Sequence, residues 1–310
     1  MLAWVGHLLK SQDSPSTNTL LGLEAARHFA RLKAQTVILA VRDLSKGSAA
    51  KASIESTTNC HHDCIQVWQL DLSSYQSVQQ FAERCNSSLS RNDAVVENAG
   101  VIAKTSKTAE DNELTLTTNV VSTFLLALLL LPKLKETAQK YNIRPNLVIV
   151  SSDVHFFTTL PEKSAPQGRI FSTLNEKSTA DMDKRYPVSK LLEVFAVRQI
   201  AVERPANTYP VTVNSLNPGF CHSELAREAG GWGIWAMKLL LARTTEAGSR
   251  TLVHAAGAGA ETHGQYLSDC EIMMPSPFVL SQEGRVTQKR VWEELSQKLE
   301  KIRPGVMANL

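Results

Sequence analysis

Tyr186 and Lys190 frame the run Tyr186-Pro187-Val188-Ser189-Lys190. Four apart on a helix, they project from one face, one turn apart. An ammonium held beside a phenol stabilises the phenolate and lowers its pKa from about 10. The spacing therefore predicts a tyrosine that gives or takes a proton near neutral pH. Alone it means little, since Tyr/Lys pairs are common on solvated helix faces. Other polar residues add to it. Ser151-Ser152 closes the apolar run Pro145-Asn146-Leu147-Val148-Ile149-Val150, and Asn98 ends Val95-Val96-Glu97-Asn98-Ala99-Gly100. Asn119 lies in a long helical stretch, and Asn217-Pro218-Gly219 follows Val211-Thr212-Val213-Asn214-Ser215-Leu216. Taken singly, each has an ordinary reading: Ser152 as a strand-end cap, Asn119 as a polar helix residue, Tyr186 as a packed aromatic.

The elements that must position these residues alternate. Leu21, Ala25, Phe29 and Leu32 recur at helical spacing, and Thr36-Val37-Ile38-Leu39-Ala40-Val41 is a continuous β-rich run. Such a run suits a strand covered on both faces. Further helices are expected at about 44–57, 74–88, 111–140, Tyr186 to 203, 244–257 and 284–302. Strands are expected at about 65–70, before Asn98, before Ser152, and at 211–216 and 265–267. This alternation implies right-handed crossovers and a doubly wound α/β sheet with helices on both faces. Small polar residues at strand ends then collect at the carboxyl edge of a parallel sheet.

In this order the residues resemble the short-chain dehydrogenase/reductase family over roughly residues 20 to 270, nearest its retinol-dehydrogenase-like members and reductases of fungal secondary metabolism. The resemblance implies a single Rossmann-type domain at 21–275, preceded by an anomalous segment at 1–20 and followed by a helical extension at 276–310. It implies that Tyr186 donates a proton to a carbonyl oxygen and that Lys190 grips the nicotinamide ribose. Ser152 would hydrogen-bond the same oxygen, and Asn119 would hold a water linking Lys190 to solvent. Asp71 would contact adenine, and Asn98 would support the turn under the adenosine ribose, although Glu97 stands where the family has another Asn. Cys221 and Ser223 match positions that hold the carboxamide. Arg42-Asp43 closes the second strand with Lys46 nearby. An arginine there accommodates the 2′-phosphate through a planar fork, so NADP is expected over NAD.

The amino terminus departs from pattern. The family's Thr-Gly-x-x-x-Gly-x-Gly turn falls on Pro15 to Gly22, and only Gly22 matches, with Ser16 and Leu20 at the first two glycine positions. The preceding strand, expected at about 9–14, reads Leu9-Lys10-Ser11-Gln12-Asp13-Ser14 and is polar. Either the first exon differs from the family's or cofactor affinity has been lost. The first is preferred because everything from Gly22 onward remains in pattern. The rival function is a catalytically silent Rossmann-like binding protein. With that turn broken, the chain is expected to be poorly stable and to bind NADPH weakly.

Residues 153–185, carrying His155, Phe156, Phe157 and Phe171, are longer than usual in the family and read as a flap over substrate. Gly230-Gly231-Trp232-Gly233-Ile234-Trp235-Ala236-Met237 reads as a hinged lid over an apolar substrate. The resemblance further implies a homo-oligomer built on the 111–140 and 186–203 helices.

A net charge of +3 over 310 residues excludes a nucleic-acid reading. Five scattered cysteines suggest reduced thiols and a cytoplasmic setting. The longest apolar run, Phe124 to Leu131, is shorter than the ~18 residues of a membrane span, and Leu2 to Leu9 lacks the flanks of a signal peptide. Cys60-His61-His62-Asp63-Cys64 looks metal-like, but neighbouring ligands cannot all face one ion, so a solvated loop and no metal are expected.

Overall fold

The computed structural model describes residues 3–7 (as backbone), 21–61, 63–221 and 243–310. Within the Thr36–Val41 strand the side chains divide by parity, as a pleated strand requires. Val37, Leu39 and Val41 join Leu23, Phe29, Leu252 and Ala255 in one core. Ile38 and Ala40 join Trp68, Phe124, Leu147 and Leu191 in the other. The same alternation separates Val148 and Val150 from Leu147 and Ile149. A strand buried on both faces thus feeds two helical layers.

The strands are β1 (Ala3–His7), β2 (Thr36–Val41), β3 (Ile65–Gln69), β4 (Ala94–Glu97), the hairpin β5 (Thr108–Ala109) and β6 (Asn112–Glu113), β7 (Asn146–Val150), β8 (Thr212–Asn217), β9 (Tyr266–Ser268) and β10 (Glu271–Met273). The main sheet has the order β3-β2-β1-β4-β7-β8-β9-β10, parallel throughout except for β10 against β9. The chain runs outward from β1 to β3 and then returns to β4. That places a topological switch point at β1/β4, where such sheets bind ligands beyond the strand ends.

The first strand corrects an expectation. It is Ala3–His7 and not 9–14. Its register is Ala3↔Thr36 to His7↔Ala40 on one side and Trp4↔Ala94 to Gly6↔Val96 on the other. The short run Ala-Trp-Val-Gly supplies what the polar 9–14 stretch cannot, and it takes the centre of the sheet. The glycine-turn positions Pro15 to Leu20 lie outside the described residues.

Leu114–Tyr141 is one helix, with a π-helical stretch at Thr117–Ser122. It is long and apolar enough to cross a membrane, which the eight-residue run had not suggested, but 89% of its most apolar window is buried inside the fold. A helix apolar all round belongs in a core.

The 153–185 segment also differs from expectation. Leu160, Ile170, Phe171 and Leu174 are buried in the main core. Glu294, on the C-terminal helix Gln282–Ile302, accepts the backbone N–H of Ile170 and Phe171 at 3.1 and 3.0 Å. Arg290 on the same helix donates to the carbonyls of Lys163 and Ala165. The segment docks as a buttress because its apolar side chains need cover and its free backbone groups need partners.

Candidate active site

Tyr186 sits in the first turns of the helix Met182–Glu203, which Asp181 caps by accepting Lys184 N–H. Its neighbour Arg185 is buried and pairs with Glu113 at 3.7 Å, while Glu113 also accepts the N–H groups of Thr115 and Leu116 at the start of the long helix. The two helices are therefore tied together beside Tyr186. Asn119 adds a second tie. Its Nδ2 donates to Ser189 Oγ and to Val101 O, and its Oδ1 accepts Val101 N–H. Ser189 in turn donates to Tyr186 O.

Lys190 is buried, with Nζ 5.5 Å from the Tyr186 ring centroid. A Cβ on Gly100 would lie 3.4 Å from Asn119 Oδ1 and 3.6 Å from Lys190 Nζ, so both side chains line one hollow at the end of β4. Ser152 begins the 3-10 turn after β7 and accepts Val154 N–H. Its carbonyl binds His155 Nδ1 at 2.7 Å, while His155 Nε2 accepts Ser276 N–H. A backbone donor at Nε2 places the proton on Nδ1, so His155 is neutral, and burial holds its pKa below the usual value. His155 thus anchors Ser152 and is no part of a flap. Phe156 and Phe157 on the same turn remain exposed, at 43% and 74%. Asp153 accepts Tyr266 O–H and Asn217 Nδ2–H, joining the ends of β7, β8 and β9.

The electrostatics differ from the spacing argument. Burial raises the Tyr186 pKa; the Lys190 ammonium works against it, and Glu193 reinforces it. Burial would lower Lys190, but Glu193 and the phenol outweigh it and hold the ammonium above its ordinary range. Glu193, absent from the sequence reading, accepts a hydrogen bond from Lys190 Nζ at 2.9 Å. Its signal was available, since a Glu three residues after a helical Lys shares its face. Glu97, at the end of β4, is buried, and desolvation raises its carboxyl well above the usual range.

At the other side of the switch point, Gly22 is buried in the first turn of the helix Leu21–Arg31. Arg42 is exposed. Asp43 caps the helix Leu44–Thr57, accepting Ser45 N–H and O–H and Lys46 N–H, while Lys46 Nζ lies 3.3 Å from it. The Ser45 hydroxyl above all pulls its carboxyl down to about 2. Asp71 Oδ1 accepts Ser73 N–H and O–H and shapes the turn after β3. Asn98 is buried just past β4. Cys221 is buried and donates to Pro218 O, next to Gly219, whose φ of +78° favours glycine. Ser223 and the 230–237 lid lie outside the described residues. His61 binds Gln35 O, Cys64 donates to Ala34 O, and no metal-ligating cluster occurs among the described residues.

A family model described as short chain dehydrogenase matches residues 19–160. A short chain dehydrogenase/reductase of Cryptosporiopsis sp., dmxR8, is 56% identical over 94% of this chain and 91% of its own length. The chain belongs to the short-chain dehydrogenase/reductase family. A second member, the short-chain dehydrogenase anuD of Penicillium roqueforti, is 42% identical over 94% of this chain and 77% of its own. The fold recurs in a crystal structure of an uncharacterised protein from Mycobacterium paratuberculosis, with a TM-score of 0.68, 22% identity and coverage of 97% and 93%. Among the four expected catalytic residues, Asn119 and Lys190 line one hollow beside Tyr186, and Ser152 stands at the end of β7. These are oxidoreductases that use a nicotinamide cofactor.

Proposed function

We propose that this chain is an NADP-dependent reductase or dehydrogenase that interconverts a carbonyl and an alcohol on an apolar substrate, as a cytoplasmic step of secondary-metabolite biosynthesis. The observation that carries the reading is the hollow beside Gly100, where Lys190 and Asn119 meet under the helix that bears Tyr186. The residues fit the cofactor. Asp43, which would otherwise accept from ribose hydroxyls, is committed to capping its own helix, and Arg42 beside it is exposed. Arg42 and Lys46 would hold the 2′-phosphate, Asp71 and Asn98 the adenosine, Lys190 the nicotinamide ribose, and Cys221 with Ser223 the carboxamide. When bound, NADPH supplies the hydride.

The chain's own part is to give and orient. Tyr186 delivers a proton to the carbonyl oxygen, and the Ser152 hydroxyl donates to the same atom. Donors fixed before charge develops lower the barrier most. Exposed Phe156, Phe157 and Phe220 follow the neighbouring strands β7 and β8, which supports an apolar substrate. The relatives' fungal sources favour a secondary-metabolic step.

Tyr186→Phe tests the assignment. Over a panel of hydrophobic ketones and aldehydes, NADPH oxidation by this variant should fall by about 10²–10⁴-fold, with NADPH binding kept. Retention of most of the turnover would overturn Tyr186 as the proton donor.

A further inference from the structure

Lys190 makes two contacts that proton delivery by Tyr186 does not use. Its Nζ donates to Val150 O at 2.8 Å and to Glu193 Oε1 at 2.9 Å. Glu193 is only 2% exposed, and besides Lys190 the Ser151 hydroxyl acts on its carboxyl. A carboxyl stripped of water is costly unless a partner is charged. Here the charged partner is the ammonium that serves Tyr186.

The groups around the pair come from several elements. Tyr186 and Glu193 share the helix with Lys190. From β7 and its end come Val150 O and Ser151, whose hydroxyl donates to Lys190 O. Asn119 and Gly100 close the hollow from the long helix and the β4 turn. Glu97 ends β4 opposite Ile149, and burial raises its carboxyl above the usual range. An ionised Glu193 beside Lys190 leaves little net charge acting on the phenol, whereas a neutral Glu193 leaves the full ammonium acting on it.

We propose that Glu193 is a positioning residue for Lys190: its carboxylate draws the ammonium off the Tyr186 phenol and keeps Tyr186 in its protonated, donor form. The inference rests on Tyr186 being the proton donor. Burial pushes Glu193 up to about 7 against the pull of Lys190. The pair therefore closes as pH rises through neutrality. Below that point the neutral carboxyl releases the ammonium toward the phenol.

Glu193→Gln keeps the shape and the acceptor but removes the charge. Phenolate absorbance near 295 nm, read for each protein against its Tyr186→Phe counterpart, isolates Tyr186. Its ionisation midpoint should fall by about one pH unit or more in E193Q, and Glu193→Asp should restore the wild-type midpoint. An unmoved midpoint in E193Q would overturn the inference. A second measurement leaves position 193 intact. In Lys190→Met, the infrared carbonyl stretch should show Glu193 protonated to higher pH than in the wild type, and an unchanged midpoint would also overturn it. Neither readout needs cofactor or turnover. Absent turnover with a shifted midpoint would count against the proposed function alone. Turnover lost in Tyr186→Phe without the shift would count against Glu193 alone.

Discussion

At the scale of single residues, the types and spacing of Tyr186, Lys190, Ser152 and Asn119 were legible, because the helical period and the strand ends fix where such side chains go. Their charge states were not. The sign of the Tyr186 shift depends on burial and on Glu193, which spacing does not report. His155 shows the same limit. Nothing in its spacing reveals that its two nitrogens are taken by Ser152 O and Ser276 N–H. That arrangement has a consequence for pH. His155 and His263 are both held below their usual pKa by burial, so the unfolded chain binds more protons than the folded one below about 6.5. Stability should therefore be full above that pH and decline as pH falls through it. Melting temperatures at pH 7.5, 6.5 and 5.5 check this, and His155→Gln should flatten the decline.

At the scale of elements, alternation of β-rich runs and helical periods located most of the sheet and its helices to within a few residues. The exceptions have physical causes. The central strand β1 rests on only five residues, too short a run to stand out beside a polar stretch. The 153–185 segment was read as a flap because its partner, the C-terminal helix, lies far along the chain. Glu294 is the joint between them, holding two N–H groups of the short helix Ile170–Leu174 while itself only 7% exposed. Glu294→Ala should cost about 1–2 kcal/mol, a fall of a few degrees in melting temperature. Glu293→Ala, next to it and partnered by the exposed Gln167 and Lys289, should cost far less. Equal losses from the two variants would show that the buttress is not held this way.

For the whole molecule, the residues proposed for the cofactor and for proton delivery lie on opposite sides of the β1/β4 switch point. The Met182–Glu203 helix is packed along much of its length by its own chain. Leu191 through Val197 are all buried. The C-terminal helix covers this region through Gln288 Nε2 on Gln199 Oε1 and through Trp292 against Phe124. What the sequence could not convey was this long-range cover, since it depends on residues a hundred positions apart.

The central claim is that this edge of the sheet takes NADPH, and direct titration of the purified full chain with NADPH and NADH, followed by the cofactor's own fluorescence, tests it. Saturable enhancement with NADPH is expected, with NADH binding at least about tenfold more weakly, in line with one charge-assisted contact to the 2′-phosphate. In Arg42→Asp that preference should reverse. No saturable signal with either nucleotide would contradict the account and leave a silent Rossmann-like protein. Equal affinities unaffected by Arg42→Asp would contradict the assignment of Arg42.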